Sequence, residues 1–83
     1  MIITASVDSA TTLVVNLAQV HLTPARKFWL DALIEEIGQV VADEGDDVII
    51  TTKREPRTAL KHFAALCAFA GIRVTDVTPE VVS

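Results

Sequence analysis

Over the first eight residues, Met1 to Asp8, apolar and polar positions alternate loosely: Ile3, Ala5 and Val7 fall on one side, Ile2, Thr4 and Ser6 on the other. A period of two predicts a strand with one covered face. Asp8-Ser9-Ala10-Thr11 is turn-like, because Asp and Ser side chains bond back to nearby backbone. A hairpin therefore leads into the next run. Thr12 to Val20 carries Leu13, Val14, Val15, Leu17 and Val20, which predicts a second strand covered on both faces, as in sheets with helical crossovers.

The period then changes. Thr23-Pro24 is a helix-start signal, since Thr can cap and proline at the first helical position lacks only an N–H that had no partner. From Pro24 to about Glu44, Leu30, Leu33, Ile34, Ile37 and Val41 recur at helical spacing, with Trp29 and Val40 widening the stripe and Lys27, Asp31 and Glu35 opposite. Gly45 is placed to close that helix in a left-handed cap, and Asp43 and Glu44 would oppose its dipole. Asp47-Val48-Ile49-Ile50-Thr51-Thr52 is a short β-branched strand. Pro56 opens a second helix with Glu55 as a weak cap or as part of a Thr52/Glu55 capping box. Leu60, Phe63, Ala64, Leu66, Cys67 and Ala70 form its apolar face, and Gly71 ends it. Ile72 to Thr78 alternates as a last strand, stopped by Pro79.

This order, β-β-α-β-α-β, predicts an α/β fold: a mixed sheet of about four strands with two helices, in which helix-linked strands pair in parallel. Val48 to Thr52 lies inside that sheet, and the N-terminal hairpin adds an antiparallel member. A ferredoxin-like arrangement competes, but it requires two adjacent strands between the helices, and the pattern shows one.

At 83 residues the chain is a single α/β domain, residues 1–83, and its hydrophobic fraction of 51% favours a folded globule over disorder. A domain this small hides only about 60 to 65% of the surface its unfolded chain exposes. Some apolar surface is thus available to a partner or a second copy, and a homodimer is one expectation. The net charge of −4 opposes general nucleic-acid binding, which needs a strong positive footprint. A lone cysteine, Cys67, excludes an internal disulfide and fits a reducing compartment, so cytoplasm is expected. No apolar run nears the ~20 residues of a membrane span, and no signal peptide or anchor is read.

In open α/β sheets, ligands favour the crevice at the carboxyl ends of parallel strands, where helix N-termini point. The predicted fold would bring the loops His21 to Pro24 and Lys53 to Pro56 to that edge. Thr23, Arg26, Lys27, Lys53, Arg54 and Arg57 would then form a partner- or anion-binding edge that gathers five of the seven basic residues. Asp43, Glu44, Asp46 and Asp47 would occupy the opposite edge and make the domain an electric dipole. Such an edge suits phosphate or an acidic or phosphorylated protein surface.

Other chemistry is sparse. His21 and His62 are not at metal-ligand spacing. The acidic cluster lacks the alternation, central Gly and terminal Glu of an EF-hand, so it reads as a solvated turn. Cys67, on an Ala-rich face, reads as a buried inert thiol, and Trp29 as core or contact anchor. There is no glycine-rich phosphate loop, nucleophile elbow or zinc pattern. No catalytic residue, metal or cofactor is expected, and catalysis is the weaker class.

Val14-Val15-Asn16-Leu17 followed by Thr23, then Asp47 to Thr52 and Pro56 to Ile72, resembles the STAS domain of anti-sigma-factor antagonists. The resemblance implies a regulatory module with a modification site at Thr23. Its usual Asp-Ser-Ser-Gly type sequence is replaced here by His21-Leu22-Thr23-Pro24, and its final helix is absent or reduced to Pro79 to Ser83. The leading expectation is a small non-catalytic module that binds another protein through the basic edge. The alternatives are a phosphate or nucleotide binder or enzyme subunit, and an oligomeric structural or inhibitory subunit built on the Ala-rich second helix.

Overall fold

The computed structural model describes residues 1–79. Its elements are β1 (Ile2–Val7), β2 (Thr12–Asn16), α1 (Pro24–Ile37), β3 (Gly38–Glu44), β4 (Asp47–Thr52), α2 (Pro56–Phe69) and β5 (Arg73–Asp76). The five strands form one mixed sheet in the order β3-β4-β2-β1-β5. Among the described residues only β1 and β5 pair in parallel; β1 with β2, β2 with β4 and β4 with β3 are antiparallel.

Alternation along the strands decides where the helices go. Ile3, Ala5, Leu13, Val15, Val48 and Ile50 are buried and share one face through their cross-strand register. Leu30, Ile34 and Ile37 of α1 and Ala59, Leu60, Phe63 and Cys67 of α2 complete a single cluster with them. Both helices therefore lie on one face, and no polar or charged side chain among the described residues is buried in the core. The other face carries Thr4, Ser6, Val14, Asn16, Ile49 and Thr51 without a helical cover, so β2 is covered on one side rather than two.

The main departure from expectation lies between residues 38 and 44. The helix expected to reach about Glu44 stops at Ile37, and Gly38–Glu44 turns back as the edge strand β3. Val41 still falls at helical spacing from Ile34 and Ile37, but it is the extra residue of a β-bulge between Val40 and Ala42. Gly45, at φ 65°, is not a helix cap. Glu44 pairs with Asp47, leaving Gly45-Asp46 as a two-residue hairpin loop with glycine at its first position. Asp43 and Glu44 thus oppose no helix dipole.

Two strands therefore lie between the helices, giving β-β-α-β-β-α-β. This is not the STAS topology, nor a three-strand parallel core with an N-terminal hairpin. The adjacent pair that a ferredoxin-like arrangement needs is present, with β1 inserted between β2 and β5. Asp47–Thr52 does sit inside the sheet, antiparallel to both neighbours.

Local signals fix the helix ends. The Thr23 hydroxyl accepts the Arg26 backbone N–H at 3.2 Å, whereas Glu55 makes no side-chain cap to α2. The Thr52/Glu55 box does not form; the Thr52 hydroxyl donates to the Arg54 carbonyl at 2.6 Å instead. After α2, Gly71 at φ 75° lets its own N–H reach the Ala68 carbonyl and that of Ile72 reach Cys67, the paired bonds of a Schellman motif. Of the tail from Pro79 to Ser83, only Pro79 lies within the described residues.

Candidate functional site

Strand direction gives the sheet two ends. At the first, Asn16 faces Asp47, and the Leu17 N–H reaches the Asp46 carbonyl at 2.9 Å. At the second, the Thr52 N–H reaches the Thr11 carbonyl at 2.9 Å and the Lys53 N–H reaches the Ile37 carbonyl at 3.0 Å. Helix α1 therefore starts at the first end and finishes at the second, while α2 starts at the second.

Because β4 runs opposite to β2, the two helix N-termini do not share an edge. Thr23, Arg26 and Lys27 lie at the first end; Lys53, Arg54 and Arg57 lie at the second, separated by about 20 Å of helix. The acidic residues Asp43, Glu44, Asp46 and Asp47 are at the first end, beside Arg26 and Lys27 rather than opposite them. Charge polarity persists in altered form, with Lys53, Arg54, Arg57 and Lys61 gathered around the start of α2.

Several of these groups already have partners. The Arg26 guanidinium donates to the His21 carbonyl, Lys27 pairs with Asp31 at 3.2 Å, and Arg57 lies 3.8 Å from Asp76. The Asp76 carboxyl is held below its ordinary range by the Thr78 hydroxyl and backbone N–H, and to a lesser degree by Arg57. Asn16 donates to Asp47 at 2.7 Å on the uncovered face. The described residues contain no cluster of His, Cys, Asp and Glu able to hold a metal ion. No helix among them is long and apolar enough to cross a membrane. Cys67 is fully buried, and desolvation pushes its thiol up to about 11.

Concavities mark the surface of the described residues. A cleft of about 300 Å³ separates the end of α1 from the start of α2 and brings together Glu36, Lys53, Arg54, Thr58 and His62. Another, of about 350 Å³, lies between α2 and β5 along Arg57, Lys61 and Asp76. Larger than both is a groove of about 640 Å³ running between α1 and the β3–β4 hairpin. Leu17, Leu22, Leu30, Val40 and Val48 line its apolar part. Lys27, Asp31 and Glu35 follow one side at helical spacing, Gln39 and Asp43 the other, with Asp46 and Lys53 at its ends.

The groove follows from how α1 meets β3. A Cβ on Gly38 would come within 2.2 Å of the Thr51 carbonyl oxygen, so only glycine lets the helix pass into β3 with no connecting loop. The strand emerges at the sheet edge, where helix α1 leaves it largely open. Val40 and Val41 stay 43% and 59% exposed, and Leu22 43%. Phe28, 79% exposed, lies on the same helical stripe as Asp31 and Glu35.

Lys27 and Lys53 of this groove are among the binding residues expected from the sequence; Glu35, Gln39, Val40 and Asp46 are not. The available signal was Gly45-Asp46, two turn residues between the β-branched runs Val40-Val41 and Val48-Ile49-Ile50. Comparison of the chain with protein-family models, with curated proteins and with solved structures finds no match.

Proposed function

We propose that this chain is a non-catalytic protein-interaction module that captures an extended segment of a partner by adding it as a further strand along β3. The observation carrying this reading is the groove itself: an edge strand without an outer neighbour among the described residues, an apolar floor and exposed Leu22 and Val40 in its lining. An edge strand offers unpaired N–H and C=O groups, and strand addition uses them for affinity while alternate side chains enter pockets for specificity. Here one set of side chains from the added strand would lie on the groove side of the sheet beside Val40, and the other would join the uncovered face.

The test is a display selection of random peptides against the intact chain, followed by backbone NMR mapping. Selected peptides are expected to shift and protect amides of Gly38 to Glu44 and residues lining the groove. Binders that perturb only other surfaces, or a selection that enriches nothing, would remove the reading.

A second reading keeps the basic residues in play. Lys53, Arg54, Arg57 and Lys61 gather at the end of the sheet away from Asp43, Glu44, Asp46 and Asp47, which favours contact with an acidic surface there. Charge reversal at Arg54 and Arg57 would then weaken partner binding without unfolding the domain. Unchanged affinity would discard that contact.

A further inference from the structure

We infer, resting on the strand-addition reading, that the segment accepted by the groove is cationic and amphipathic, with apolar side chains alternating with Lys or Arg. Charge complementarity carries the inference. Among the groove's charged groups, Asp31 is matched by Lys27 at 3.2 Å. Glu35, Asp43 and Asp46 remain against Lys53 alone. The surplus is therefore negative, and the two aspartates place it toward the Gly45-Asp46 turn. The chain as a whole carries −4, which steers cations toward it and makes two copies repel. The exposed apolar side chain of the edge strand supplies the matching requirement on the other face of the segment: every second residue must be able to cover Val40.

The bulge at Val41 sharpens this selectivity. Bulges and charged residues are devices that keep sheet edges from pairing indiscriminately. With Asp43 and Glu44 in the same strand, β3 disfavours an acidic strand, and it favours a segment that brings its own positive charge.

The experiment uses the intact chain and fluorescein-labelled synthetic peptides as long as β3, which has seven residues. One alternates Lys with Val; a second alternates Glu with Val; a third holds the Lys and Val residues in two blocks; a fourth is the Lys-Val probe with alternate backbone nitrogens methylated. Anisotropy titrations are expected to show saturable binding of the alternating Lys-Val probe. The other three are expected to bind at least about tenfold more weakly. In the double variant Asp43→Lys with Asp46→Lys the preference should move toward the Glu-Val probe; Asp43→Asn with Asp46→Asn, the milder pair, should abolish it.

Equal binding of the Lys-Val and Glu-Val probes, with the methylated Lys-Val probe failing to bind, overturns the cationic preference while leaving strand addition standing. Equal binding of the block probe overturns the alternation that the inference requires, and equal binding of the methylated probe overturns strand addition and the inference together. So does failure of every probe to shift the amides of Gly38 to Glu44. A dimer in sedimentation that excludes the Lys-Val probe from β3 would replace the basic segment with a second copy and overturn the inference.

Discussion

Gly38 shows how a single residue decides an architecture. It is nearly extended at φ 174°, so its backbone conformation demands no glycine. Space demands it, since a Cβ would meet Thr51 oxygen at 2.2 Å and Ile50 Cγ2 at 2.8 Å. Gly38→Ala should therefore cost about 1–3 kcal/mol, as overpacking does. A urea melt would show the loss, and an unchanged midpoint would contradict the close approach. Cys67 makes a second prediction. Its thiol, raised from 9.0 to about 11 by burial, favours the neutral form in the folded state. Its contribution is fully present below the unfolded value and is lost as pH rises through the folded one. Between about pH 9 and 11 the chain should lose stability with a slope that Cys67→Ala reduces. At pH 7 a thiol reagent should react only on unfolding; rapid reaction with the folded chain would contradict the burial. This residue was legible from its Ala-rich apolar surroundings, whereas the role of Gly38 was not, because its constraint comes from a neighbouring strand.

Among the elements, the hairpin β1–β2, strand β4, helix α2 and the short β5 form where the periods and punctuation predicted them, but β2 ends at Asn16 rather than Val20 and β5 covers only Arg73–Asp76. Strand β3 does not. Ile34, Ile37 and Val41 continue the spacing of α1 in register, so local pattern favoured one long helix. The β-branched pair Val40-Val41 and the Gly45-Asp46 loop favoured a hairpin, and pairing with β4 settled the competition. Helix and strand preferences oppose each other in sign here, which gives a direct test. Val40→Ala would stabilise a helix at an exposed position by a few tenths of a kcal/mol. In an edge strand paired with Ile50 it should instead destabilise by up to ~1 kcal/mol. Chemical denaturation distinguishes the two outcomes, and a stabilised variant would contradict β3.

For the whole molecule, adding β3 changed where function could sit. With one strand between the helices, their N-termini would share an edge and the basic residues would meet. With two strands, the reversed direction of β4 sends Lys53, Arg54 and Arg57 to one end and leaves Thr23, Arg26 and Lys27 at the other. The same added strand creates an edge beside α1 and the groove between them. The candidate site is therefore hidden by the element that sequence periodicity obscures, and of its lining only Lys27 and Lys53 belong to the binding edge expected from the sequence. Amide hydrogen exchange across Gly38 to Glu44, alone and with saturating alternating Lys-Val peptide, tests the account most directly. The chain alone should protect the β3 amides that face β4 and leave the outward ones exchanging freely. Added peptide should slow the outward set. Outward amides that exchange at the same rate with and without bound peptide, or that are already protected in the monomer, would contradict a free edge that binds by strand addition.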